Sequence, residues 1–134
     1  MKAYLQKFMA TAVLGLVLSS ISISAWAGAE DAHEVEIGVL NNGSDFASGS
    51  MAGARYSADS QQYIGCYLLG HSDFVTCGAR DKTGKSLVCY SNDPGWKSLV
   101  KALTDFSYLL FNTTRDSICD IGRVTNSSRY LRNN

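Results

Sequence analysis

Proline occurs once and histidine twice in 134 residues, and acidic and basic residues balance at 12 each. Each scarcity removes a class of function. Lys and Arg stand singly, so no basic field exists to attract a phosphate backbone or anionic lipid; partners among nucleic acids and membrane surfaces are not expected. No GxSxG, HExxH, phosphate-binding glycine loop or calcium loop occurs, so no strong catalytic motif is present. The cysteines, Cys66, Cys77, Cys89 and Cys119, include no CxxC pair of the kind a zinc site uses. Neither a cofactor nor a metal is expected.

Long apolar runs are also scarce, with one exception at the start. Met1 to Lys7 is short and basic, Phe8 to Leu18 is mostly apolar, and Ser19 to Ser24 leads into Ala25-Trp26-Ala27, a small-x-small motif. That order is the one of a cleavable signal peptide, expected over residues 1–27, with Ala27-Gly28-Ala29 as a second cleavage site. The uncharged stretch is near the lower limit for spanning a bilayer, but its serine-rich second half runs into the cleavage motif, which favours a leader over an anchor. A lipoprotein would need a cysteine at the cleavage point, and the first is Cys66. The remainder is therefore expected to be secreted or periplasmic, with no membrane contact after cleavage. Lys2 and Lys7 leave with the leader, so the mature chain is slightly acidic.

An even cysteine count in a small exported domain reads as two disulfides. The chain divides into an acidic, Gly/Ser-rich segment at 28–50 and a disulfide-stabilised antiparallel β domain at 51–130. In the first, Val35, Ile37 and Val39 alternate with polar positions or glycine, which fits either an edge strand or an ordered patch in a tail. In the second, Gln62–Leu69, Phe74–Arg80 and Ser86–Ser91 are strand-like and punctuated by turn residues, a β-meander. Asp81 and Gly84 suit a type I turn followed by a residue at positive φ, which closes a hairpin with a bulge. Asp93 as N-cap and Pro94 at the first helical position open a helix near 94–104, with Trp96, Leu99, Val100 and Leu103 on one side. Phe106–Asn112 and Ser117–Thr125 read as further strands, and Asn126–Asn134 as a fraying tail. The expected fold is α+β, a small mainly antiparallel sheet with one helix laid against it.

Hairpin register constrains the disulfides. A turn centred on Thr83 sets Cys77 opposite Cys89, and one centred between His71 and Ser72 sets Cys66 opposite Cys77. All three then share an inward face with Ile64, Leu68, Val75, Ala79 and Leu87. A Cys66–Cys89 bond would span two strand spacings, roughly 9–10 Å, beyond the ~7 Å reach of a disulfide. Two connectivities remain. Cys66 and Cys77 fall at the closer, non-hydrogen-bonded kind of site, so Cys66–Cys77 with Cys89–Cys119 is preferred.

Tyr63, Tyr67, Phe74 and Tyr90 alternate with the cysteine face, interleaved with Gly65, Gly78 and Thr76. Aromatics over glycines make a platform for a sugar ring or a protein. The ordinary alternative, which the sequence favours, is that the helix covers this face with Trp96 and Leu99 on the tyrosines.

Other candidates have plainer readings. His71-Ser72-Asp73 cannot form a catalytic relay, because adjacent side chains in a tight turn cannot place the base between nucleophile and acid. Glu30, Asp31, His33, Glu34 and Glu36 read as a solvated acidic tail. Asn112 and Asn126 each begin an N-glycosylation pattern and would be surface sites in a glycosylating host. Asp59, Asp73, Asp105 and Asp120 leave room for a carboxylate-pair hydrolase without singling out two of them.

The stretch from Arg55 to Cys66, with Ala79-Arg80-Asp81, Cys89-Tyr90-Ser91 and Asn126-Ser127-Ser128, resembles a loose set of short exported bacterial disulfide-containing proteins of uncharacterised function. The resemblance spans roughly residues 55 to 130 and implies a bacterial exported domain; it carries over no catalytic residue, ligand or activity. The functional expectation is a non-enzymatic binding module for a protein or glycan. A small secreted hydrolase with a carboxylate pair, or an exported hydrolase inhibitor, is the alternative.

Overall fold

The computed structural model describes residues 32–70 and 74–130. The expected leader, Glu30, Asp31 and the His71-Ser72-Asp73 turn lie outside the described residues, as do residues 131–134 of the tail.

Among the described residues, seven strands, two α-helices and a short 3-10 turn at Ser128–Tyr130 form a small, mainly β, α+β fold. In chain order the strands and α-helices are β1 (Glu36–Val39), β2 (Asp45–Ser50), α1 (Met51–Arg55), β3 (Tyr63–Leu68), β4 (Val75–Arg80), β5 (Ser86–Ser91), α2 (Pro94–Lys101), β6 (Ser107–Thr113) and β7 (Cys119–Asn126). The strands make two antiparallel sheets, ordered β1-β2-β6-β7 and β3-β4-β5. One core lies between them, joining Ile37, Ala47, Leu109 and Phe111 of the first sheet to Ile64, Val75, Cys77 and Cys89 of the second.

The meander follows its sequence pattern closely. Cys66 faces Cys77 and Cys77 faces Cys89, as the turn arithmetic places them. In the β4–β5 turn the Asp81 N–H donates to the Lys85 carbonyl at 3.0 Å and the Gly84 N–H to the Asp81 carbonyl at 3.0 Å. Gly84 takes φ 87°, the left-handed conformation that a glycine adopts without steric cost. The Asp81 carboxylate accepts from the Thr83 hydroxyl at 2.7 Å, from the Thr83 N–H at 2.9 Å and from the Lys85 N–H at 3.0 Å. These bonds, the Thr83 hydroxyl foremost, hold its pKa below the usual carboxylate value against the opposing effect of desolvation.

Within residues 28–50, β1 is an edge strand, one of the two readings open for Val35, Ile37 and Val39; it pairs with β2, and β2 pairs along its whole length with β6. Three expectations are corrected. The Glu34 and Glu36 side chains are exposed, as expected of a solvated acidic stretch, but His33–Glu36 is not a tail. Val35 is buried and its N–H donates to the Gln62 side chain at 2.7 Å, while the Ser50 N–H donates to the His33 carbonyl at 3.1 Å. His33 packs edge-on against Tyr108, ring centres 5.3 Å apart, and Tyr130 of the expected fraying tail lies 5.6 Å from the same tyrosine ring.

The third correction concerns α2. Asp93 caps it, accepting from the Gly95 N–H at 2.6 Å, and its apolar side turns toward the core rather than onto the tyrosines. Trp96 and Leu99 close over Gly122 of β7, where a Cβ would sit 2.5 Å from Trp96 Cη2 and 2.8 Å from Leu99 Cδ1. A bare backbone at Gly122 gives the indole room to lie flat. Among the described residues, no helix lies over the outer face of β3–β5.

Candidate binding face

The β3–β5 sheet presents two unlike faces because side chains alternate along each strand. The inner one holds the cysteines. The outer one is a grid: Tyr63, Arg80 and Ser86 in one row, Gly65, Gly78 and Val88 in the next, Tyr67, Thr76 and Tyr90 in the third. Beyond the third row lie Leu69 and Phe74, joined by a Leu69 N–H to Phe74 carbonyl bond of 3.4 Å. Tyr90 also forms a parallel bridge with Ile118, its N–H donating to the Ser117 carbonyl at 2.9 Å, so the lead-in to β7 lengthens this row.

The four aromatics named from sequence share this face and are open to solvent: Tyr63 is 47% exposed, Tyr67 54%, Phe74 49% and Tyr90 48%. Values near one half mean rings with one side supported and the other bare. Thr76, between Tyr67 and Tyr90, is buried at their base. Tyr63 leans over the glycine row, with its Cε2 3.5 Å from where a Gly78 Cβ would be. Between Tyr63 and Tyr67 the glycines leave a depression of about 240 Å³.

Sequence reasoning missed Leu69, Val88 and Ile118, which complete the apolar surface at 50%, 36% and 50% exposure. The signal was available for Ile118, because an inward Cys119 turns its neighbour outward. It also missed a second hollow of about 300 Å³ beyond Tyr63, lined by Met51, Arg55, Tyr56, Asp105 and Phe106. Arg80, Arg55 and Asp105 thus put charge at the Tyr63 end, while the Phe74 end carries apolar side chains.

The two disulfides join Cys66 to Cys77 within this sheet, Cα atoms 4.0 Å apart, and Cys89 to Cys119 across to β7, 5.0 Å apart. Among the described residues the one grouping of three potential metal-ligand atoms is Sγ of Cys77, Cys89 and Cys119. All three are in disulfides, which offer no thiolate to a metal.

Among the described residues the acids do not converge on this face. Asp59 is occupied by the Gln62 amide at 2.5 Å and by the N–H groups of Gln61 and Gln62 at 2.9 and 3.1 Å. Those bonds, the Gln62 side chain first, hold its carboxyl below the usual value. Asp105 lines the hollow beside Arg55, and Asp120 lines a different depression with Asp93. Asp73 lies outside the described residues. Of the glycosylation candidates, Asn112 is buried within β6, and the Asn126 amide donates to the Ala102 carbonyl at 3.0 Å. Among the described residues no helix is long and apolar enough to cross a membrane. No protein-family model, curated protein or solved structure matches the chain.

Proposed function

We propose that the chain is an exported, non-enzymatic binding module that takes up a partner protein through the outer face of β3–β5. The observation that carries this reading is the half-exposure of Tyr63, Tyr67, Phe74 and Tyr90 on one sheet face whose reverse is the core. Seven large apolar side chains at that exposure amount to on the order of 500 Å² of contiguous apolar surface, near the upper end for a monomer. A standard interface buries about 800 Å² per partner around an apolar centre with a polar rim. The face supplies that centre, and Arg80, Arg55 and Asp105 supply charge at one margin.

A protein fits better than a glycan. Leu69, Val88 and Ile118 interrupt the aromatics, and aliphatic side chains neither stack on a sugar ring nor bond its hydroxyls. The partner surface is therefore apolar at its centre, with acidic groups where it meets Arg80 and Arg55.

The test is capture from the native envelope and culture medium by wild-type protein, by a Tyr67→Ser/Tyr90→Ser variant and by an Ile121→Ser variant on β7. A protein retained by wild type and Ile121→Ser but lost by the tyrosine variant supports the reading. Retention by all three, an oligosaccharide as the retained species, or concentration-dependent pairing of the chain with itself would each overturn it.

A further inference from the structure

Four sulfurs lie together on the inner side of the second sheet. Cys66, Cys77 and Cys89 stand side by side across β3, β4 and β5, and Cys119 reaches them from β7. The Sγ atoms of Cys77, Cys89 and Cys119 all lie within 4.8 Å of one another, although Cys77 is bonded to Cys66 and to neither of the others. Access is unequal. Cys77, Cys89 and Cys119 are buried, whereas Cys66, on an edge strand, is partly exposed.

We infer that Cys66 is a modification site for external thiols and that Cys77 passes the exchange on to the second disulfide. An external thiolate attacks Cys66 Sγ, and the electron pair of the Cys66–Cys77 bond departs on Cys77, leaving a mixed disulfide at Cys66. Attack at Cys66 is set by access, since Cys77 is shielded by the sheets on either side. The Cys77 thiolate then faces Cys89 in register, at an effective concentration that an outside thiol cannot match. It attacks Cys89 Sγ, forms Cys77–Cys89, and expels Cys119 as a thiolate that takes a proton from water. One S–S bond forms and one breaks in each step, and the entering thiol is the sole co-reactant. Cys89–Cys119 is the disulfide that ties the two sheets together. Its replacement by a bond within one sheet means that a thiol arriving at the edge strand releases the tie in the interior.

The register makes the inference asymmetric and therefore testable with two single-cysteine variants, trapped by acid, alkylated and mapped by peptide mass. In Cys66→Ala the odd thiol is Cys77, and both Cys89–Cys119 and Cys77–Cys89 linked peptides are expected, with the label split between Cys77 and Cys119. In Cys77→Ala the odd thiol is Cys66, two strand spacings or roughly 9–10 Å from Cys89, and the label is expected on Cys66 alone. A label confined to Cys77 in the first variant, or loss of the Cys89–Cys119 peptide in the second, overturns the inference. Wild-type protein gives a reading independent of whether either variant folds. With one equivalent of reduced glutathione, the adduct is expected on Cys66 and the free thiol on Cys119. An adduct on another cysteine, or a free thiol that stays at Cys77, overturns it as well.

Discussion

Replacing Gly122 with alanine tests the seating of α2, on which the openness of the tyrosine face depends. The new methyl would lie 2.5 and 2.7 Å from Trp96 Cη2 and Cζ3 and 2.8 Å from Leu99 Cδ1. Carbon atoms rest at about 3.5–4.0 Å, so three overlaps of roughly 1 Å must be relieved together. Trp96 is 6% exposed and packed into the core, so its ring cannot turn aside without displacing that core. The remaining movement is a lift of α2 away from β7. Overpacking of this kind costs about 1–3 kcal/mol, and relief from glycine's entropic penalty in a strand returns about 0.5–1 kcal/mol, for a net loss of about 0.5–2 kcal/mol.

A double-mutant cycle separates this cause from a general dislike of substitution at the site. Trp96→Ala alone should cost about 3–5 kcal/mol. In the double variant the vacated indole space accepts the methyl, so the combined loss should fall short of the sum by about 1–2 kcal/mol, within the range found for residues in contact. Denaturant unfolding followed by far-ultraviolet circular dichroism reads all four proteins. Fluorescence is unsuitable, because Trp96 is the one tryptophan among the described residues and is itself replaced in two of the proteins. Additivity within about 0.5 kcal/mol would show that the indole does not lie over Gly122. A stabilised Gly122→Ala would refute the packing outright.

Three further outcomes are expected. Gly53→Ala should cost about 3 kcal/mol or more by thermal or denaturant unfolding, because the methyl meets the His33 carbonyl, a backbone atom with little freedom to give, as well as Ser50 Oγ at 2.6 Å; a loss below about 1 kcal/mol would contradict the docking of residues 33–35 on α1. Tyr67→Ser should change stability by no more than about 1 kcal/mol, whereas Ile64→Ala, on the opposite face of the same strand, should cost about 2–5 kcal/mol; equal losses would mean that both faces are core. Asp59 and Asp81 both have folded-state pKa values below their ordinary ones, so the stability they contribute is complete above the unfolded carboxylate range of about 4 and is lost as pH falls through the lower folded values. The denaturant midpoint should therefore drop as pH falls below about 4, and Asp81→Asn should flatten part of that drop; a midpoint that rises on acidification would contradict both hydrogen-bond networks.

What could be read from the chain depended on whether the deciding contact was local. The meander, its register and the Asp81–Lys85 turn rest on alternation and on a five-residue turn signal, all contained within about thirty residues. Register excluded one of the three cysteine connectivities on distance, and the closer spacing of a non-hydrogen-bonded site chose between the other two. β2 was not legible for the opposite reason. Asp45-Phe46-Ala47-Ser48-Gly49-Ser50 has no β-branched residue and reads as turn material. It is a strand because small residues are needed there: a Cβ at Gly49 would come within 3.1 Å of Val35 Cα. Propensity ranks such a segment last, while close approach of two backbones requires it.

The misplacement of α2 has the same root and bears on function. Two glycine sites offered the Trp96 ring a floor, Gly65 with Gly78 on the tyrosine face and Gly122 on β7. The first is nearer in sequence to the meander and was the natural choice from pattern alone. The second adjoins the helix through a long-range link: α2 follows β5 directly, and Cys89 of β5 is bonded to Cys119, three residues before Gly122. That bond brings β7 to the inner side of the sheet the helix has just left, so the shortest path for α2 is back over the core. The openness of Tyr67 and Tyr90, on which the proposed binding depends, goes with the seating of α2 on Gly122 and the core rather than with any property of the tyrosines themselves.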